Sequence, residues 1–220
     1  MGKVTTQVFY AGLAVILSAG FAHADIVGSI FENDVTGSQN AIPANVPGTT
    51  PNVTFDISGT TTIFFTSGSL YTIGEFLNSE KTNVPGSSVT VLTGSGELGN
   101  TLNNTLFNFT GTVSVTNSQS FQAGHDDGLT LTIGSNTVIS APGGTSFALT
   151  TGTYTGSTGT FPFQLVYGES FGPPGDIEIS GLALVSPPPS VPLPGALPLF
   201  ATGLGVLGLL GWRKKRKAAA

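Results

Sequence analysis

Residues 124–128 read Gly124-His125-Asp126-Asp127-Gly128. Two adjacent carboxylates at a loop apex repel each other unless something neutralises them. A hard cation does this well, because calcium takes oxygen ligands from carboxylates, amides and backbone carbonyls. The same residues also suit a solvated acidic turn, since Asp and Gly are turn formers. Residue types alone leave both readings open.

Other chemistry is thinly represented. His125 adjoins the acidic pair, but the one G-x-S-x-G match, Gly168-Glu169-Ser170-Phe171-Gly172, runs into a Gly/Pro loop rather than the helix a nucleophile elbow needs, so His125 reads as a polar surface residue beside a turn. Glu169 and Glu178 form a conceivable glycosidase acid/base pair. Separated carboxylates on a β domain are ordinarily surface residues. Asn52-Val53-Thr54, Asn103-Asn104-Thr105 and Asn108-Phe109-Thr110 match the N-x-[ST] pattern, as an Asn/Thr-rich chain does by chance. The chain has no cysteine, which excludes disulfides, zinc thiolates and thiol nucleophiles.

The elements that must position these groups read as strands. Leu129, Leu131 and Ile133 alternate with Thr130 and Thr132, Gly134-Ser135 fits a two-residue hairpin turn, and residues 136–139 return. Phe107 and Phe109 share a face with Val113 and Val115. Phe163, Leu165 and Tyr167 share another, as do Ile177 and Ile179. Residues 52–65, 89–92 and 146–149 are further strand candidates. Residues 25–50 read as an edge strand or an ordered loop, and residues 70–77 as a strand running into a short helical turn. No stretch outside the two ends shows a sustained 3.6-residue apolar period. With Gly at 31 of 220 residues and only 9% charged residues, many short strands joined by turns are expected. The expectation is all-β: a single antiparallel, jelly-roll-like β-sandwich over residues 25–185.

Residues 120–139 place aromatic Phe121 before Asp126-Asp127-Gly128, an alternating strand, the Gly134 turn and a second strand. Residues 161–172 continue with Phe163, Leu165, Tyr167, Glu169 and a Gly loop at Gly172. The two segments together resemble the protective-antigen-type β-sandwich of toxins, glycosidase inserts and flocculin adhesins. The resemblance covers roughly residues 107–180. It implies that Asp126 and Asp127, often joined by a cis peptide in the adhesin branch, bind calcium and through it a sugar diol. It also implies a further ligand from a later loop, where Asp176 is the carboxylate in place. The family's usual Asp-Gly hairpin turn is Gly134-Ser135 here.

Charge is segregated. All twelve acidic residues lie between positions 25 and 190, with Lys81 the single basic residue among them. Such a surface repels phosphate backbones, which argues against nucleic acid as a partner. It suits a cation, or simply keeps an exported protein soluble.

The two ends read as addresses. Lys3, an apolar run over residues 8–20 and Ala22-His23-Ala24 fit a secretory signal peptide over residues 1–24, with cleavage after Ala24. An uncleaved anchor is the rival reading. Residues 186–194 form a Pro-rich spacer ending in Val191-Pro192-Leu193-Pro194. Residues 195–212 are uncharged and as a helix would span about 27 Å, enough for a thin bilayer. Trp212 suits the membrane interface. The basic run Arg213-Lys214-Lys215-Arg216-Lys217 heads residues 213–220 and would remain cytoplasmic. This tail resembles the PEP-CTERM sorting signal of Gram-negative bacteria that make extracellular polysaccharide, with Leu193 where a Glu usually stands. The resemblance implies processing by an exosortase. An ordinary anchor helix is the plainer reading.

These readings converge on an exported, non-enzymatic protein. It would be held in the inner membrane with its domain in the periplasm, then sorted to the cell surface or an exopolysaccharide (biofilm) matrix. There it would serve as a calcium-assisted carbohydrate-binding adhesin, or as a structural matrix protein without a specific ligand. A polysaccharide hydrolase is the alternative of a different class.

Overall fold

The computed structural model describes residues 26–68 and 70–185. The elements in order are β1 (Ile26–Phe31), α1 (Val35–Gln39), β2 (Val53–Ser58), β3 (Ile63–Thr66), α2 (Ile73–Asn83), β4 (Ser88–Thr93) and β5 (Thr105–Val115). They continue with β6 (Ser120–His125), β7 (Gly128–Ile133), β8 (Asn136–Ala141), β9 (Ala148–Thr153), β10 (Gly159–Glu169) and β11 (Asp176–Ile179). Strands assemble into a seven-stranded sheet, β4-β2-β1-β5-β10-β7-β8, and a four-stranded sheet, β3-β11-β6-β9. Each named strand pairs antiparallel with its neighbours. The chain is thus an all-β antiparallel sandwich.

Alternation along the strands decides which side chains fill the space between the sheets. β2 buries Val53, Phe55 and Ile57 and turns Thr54, Asp56 and Ser58 outward. β10 contributes Phe163, Leu165 and Tyr167, and β11 contributes Ile177 and Ile179. An aromatic cluster ties both sheets together. Phe65 of the small sheet stacks on Phe109 of the large one at 5.7 Å between ring centres and on Phe76 of α2 at 5.1 Å. Each such buried ring contributes about 1.5–3 kcal/mol relative to exposure.

Two sequence expectations are corrected. Residues 26–31 do not form an edge strand or loop. β1 lies inside the large sheet, hydrogen-bonded to β2 on one side and β5 on the other. Its Gly28 lets the Phe55 ring close over the backbone, where a Cβ would sit 2.1 Å from Cζ. Residues 70–77, expected as a strand running into a short helical turn, contain no named strand, and the helical turn is the start of the longer helix α2, capped by the Thr72 hydroxyl accepting from the Glu75 N–H at 3.2 Å. Its inward stripe is Ile73, Phe76, Leu77 and Glu80.

Helix α2 also closes an open sheet edge. The Phe64 N–H donates to Glu80 Oε2 at 2.7 Å, the Thr66 N–H to Ser79 Oγ at 2.9 Å, and Asn83 Nδ2 donates to the Phe64 carbonyl at 3.2 Å. Side chains of the helix thereby satisfy β3 backbone groups that would otherwise be available to another strand. The hairpin expected over residues 129–139 is present as β7 and β8, turning at Gly134 with φ 57°.

Candidate functional site

The acidic pair occupies the place where the chain changes sheets. β6 belongs to the four-stranded sheet and β7 to the seven-stranded one, and Asp126 and Asp127 span the gap between them. This short crossing puts Asp127 in the left-handed region, φ 64°, which Asp tolerates better than most residues. Among the described residues the cis peptide is Pro173-Pro174, so the Asp126-Asp127 bond is trans, unlike the cis pairing that the resemblance implied.

The crossing is fastened on three sides. The Asp126 N–H donates to the Asp176 carbonyl at 2.8 Å, and the Asp127 N–H to the Thr145 carbonyl at 2.7 Å. His125 Nδ1 lies 2.7 Å from the Asp127 carbonyl. A carbonyl only accepts, so Nδ1 carries the proton. In the neutral imidazole, Nε2 then accepts from the Thr150 hydroxyl at 2.8 Å. His125 is fully buried, which corrects its reading as a polar surface residue. Phe121, Ala123 and His125 alternate inward along β6, and that alternation was the available signal.

The two carboxylates have different roles. Asp127 is buried, and its Oδ2 accepts the N–H of Ser170 at 2.7 Å and that of Phe171 at 3.4 Å. Its Oδ1 faces Gly144, where a Cβ would lie 3.1 Å away. Asp126 is more open. Partial burial, then the neighbouring Asp127 and Asp176 charges, hold its carboxyl above the usual range.

A third carboxyl sits beneath them. Glu169 ends β10 and is fully buried, which corrects its reading as a surface group. Tyr167 Oη donates to its Oε2 at 3.0 Å, while Oε1 meets no donor. Burial and the adjacent Asp127 push the Glu169 carboxyl up to about 9. At neutral pH it is therefore the acid form. Gly175 packs against this group, and a Cβ there would lie 2.7 Å from Oε2. The inward series Phe163, Leu165, Tyr167 predicts Glu169 as its next member.

Asp126 and Asp127 together with Gly144, Thr145, Ser146, Phe171 and Gly172 line an open pocket of about 300 Å³. Asp176 reaches the site through its backbone carbonyl and through the charge it exerts on Asp126. Among the described residues no three His, Asp or Glu side chains converge as a ligand set. Glu178 is exposed on β11 between inward Ile177 and Ile179, so Glu169 and Glu178 do not face one cleft. The pocket residues to which sequence reading gave no role are Gly144, Thr145, Ser146 and Phe171.

The remaining expectations fall outside the described residues. These are the cleavage residues Ala22 and Ala24, the motif Val191-Pro192-Leu193-Pro194, the span over residues 195–212, and Trp212 with Arg213-Lys214-Lys215-Arg216-Lys217. Among the described residues no helix is long and apolar enough to cross a membrane.

No family model matches the chain, and no curated protein matches it. Among solved structures, the chain is similar to the PA14 domain of the MpAFP antifreeze protein, with 20% identity over 71% of this chain and 79% of that chain, at a TM-score of 0.49. It is similar to the PA14 sugar-binding domain from an RTX adhesin, with 17% identity over 70% of this chain and 86% of that one, at a TM-score of 0.48. It is also similar to an anti-sigma factor domain-containing protein from Clostridium clariflavum, with 17% identity over 73% of this chain and 42% of that one, at a TM-score of 0.38.

Proposed function

We propose that the protein is an exported, non-enzymatic surface or matrix protein whose sandwich binds carbohydrate with the help of a calcium ion at Asp126 and Asp127. The observation that carries this reading is the state of the acidic crossing. Asp126 is held partly out of water beside two like charges, and under Asp127 lies a buried Glu169 oxygen that meets no donor. Such a site gains from a cation.

The residues present fit calcium. Every side-chain donor is an oxygen, as a hard cation requires. Asp126 and the Oδ1 of Asp127 would hold the ion. Asp127 Oδ2 is already committed to the Ser170 and Phe171 N–H groups, so it fixes the ligand's direction instead. Protonated Glu169 keeps the total charge below that of three carboxylates. When bound, the ion supplies open coordination positions that water or sugar hydroxyls complete. His125 holds the Asp127 carbonyl, and Thr145 the Asp127 N–H, so the loop is set before anything binds.

The sequence supports the setting. A cleavable leader at Ala22 and Ala24, the variant motif ending in Leu193-Pro194, the uncharged run to Trp212 and the basic cluster after it fit export, inner-membrane anchoring and exosortase-type sorting in a Gram-negative cell. Matrix polysaccharide is then the partner at hand.

A glycan array probed with the purified protein, with calcium and then with chelator, tests the reading. Binding to at least one glycan that chelator abolishes is expected. Uniform absence of binding would favour a structural matrix protein without a ligand.

A further inference from the structure

The acidic pocket has an apolar wall. Phe171 is 77% exposed, the most open large apolar side chain among the described residues. A lone exposed ring is ordinary on a protein surface. This one is set apart by its neighbours and by how it is held. Its own N–H donates to the buried Asp127 Oδ2, as does that of Ser170. Ser170 is itself anchored by its hydroxyl, which donates to the Ser38 carbonyl at 2.7 Å. The backbone carrying the ring is therefore fixed to the acidic crossing.

The ring and the carboxylate also address the same small volume. A Cβ built on Gly144 would lie 2.7 Å from Phe171 Cε2 and 3.1 Å from Asp127 Oδ1. The ring edge thus packs directly over Gly144, beside the Asp127 carboxylate. Glycine is needed at 144 for this approach, because any Cβ there would push the ring away.

Carboxylates alone accept any hard cation, and a phenyl ring alone accepts any apolar body. Side by side they match a ligand with hydroxyls on one edge and C–H groups on one face. A pyranose has both in a fixed relation. An open-chain polyol has the hydroxyls but no lasting apolar face, and it loses more conformational freedom on binding.

We propose that Phe171, seated on Gly144, is the stacking platform of this pocket and selects cyclic sugars over flexible polyols. The proposal rests on the calcium-assisted carbohydrate reading of the same pocket and adds the residue that sets its specificity. Phe171 orders the ligand by its face and stays apart from the ion.

The test is calorimetry on the full chain in calcium, with methyl glycosides of glucose, galactose and mannose, and with sorbitol. At least one glycoside should bind more tightly than sorbitol. Phe171→Ala should weaken that glycoside about tenfold, the upper end of what one aromatic contact contributes. Calcium affinity and sorbitol binding should be unchanged. Phe171→Trp should retain the glycoside, and Gly144→Ala, whose methyl displaces the Phe171 ring, should weaken it. Equal glycoside affinity in wild type and Phe171→Ala would overturn the proposal while leaving the calcium-assisted reading intact. No glycoside bound by wild type in calcium would overturn both.

Discussion

Asp127 Oδ2 accepts the Ser170 N–H at 2.7 Å across 43 residues of chain. This bond joins the crossing between the two sheets to the loop after β10, and the pocket lies between them. The acidic pair is therefore asymmetric. Asp127 holds the architecture, and Asp126 is the member free to meet a ligand.

That asymmetry predicts opposite effects of the two substitutions. Asp127→Ala leaves two N–H groups without their charged acceptor, and should cost about 2–3 kcal/mol of stability. Asp126→Asn removes a carboxyl that its neighbours oppose, and should leave stability equal or slightly raised in the absence of calcium. Urea unfolding of both variants without calcium measures the difference.

Glu80 predicts a pH dependence away from the pocket. Its Oε1 meets no donor, its Oε2 accepts only the Phe64 N–H, and burial raises it from 4.5 to about 7. The folded value lies above the unfolded one, so the contribution is complete below 4.5 and is lost as pH rises through about 7. Thermal midpoints should fall across that window. Glu80→Gln should flatten the fall while keeping the bond to Phe64.

Phe65 predicts the cost of uncoupling the layers. It packs on Phe109 of the opposite sheet and on Phe76 of α2. Phe65→Ala should cost about 3–5 kcal/mol by chemical denaturation, because the removed ring leaves a cavity that two sheets and a helix cannot all collapse into.

Strands were legible where alternation is clean and turns are marked. Leu129, Leu131 and Ile133 with the Gly134 turn read directly as β7 and β8. Helix α2 was hidden because its stripe of Ile73, Phe76, Leu77 and Glu80 ends on a carboxylate. An apolar pattern of three positions is too short to show a helical period. The position of β1 was hidden for another reason. Its partners β2 and β5 come later in the chain, and a six-residue strand containing Gly28 and Ser29 carries little sign of central placement.

The site was half legible. Asp126-Asp127 stands out by residue type. His125 and Glu169 extend inward alternations and were obscured by being polar, since buried polar groups are rare unless their partners are known. Those partners, Thr150 for His125 and Tyr167 for Glu169, become visible only when strands from both sheets are placed. The Phe171 wall depends on a loop that spacing does not define.

The account's central claim is that the Asp126-Asp127 crossing holds calcium for a carbohydrate ligand. Calorimetric titration of calcium into wild type and Asp126→Asn tests it most directly, because Asp126 can be changed without loosening Asp127. One calcium per chain in wild type, weakened at least about tenfold in Asp126→Asn, is the predicted result, since one of two carboxylate ligands is lost. Calcium binding of equal strength in both proteins, or none in wild type, would contradict it.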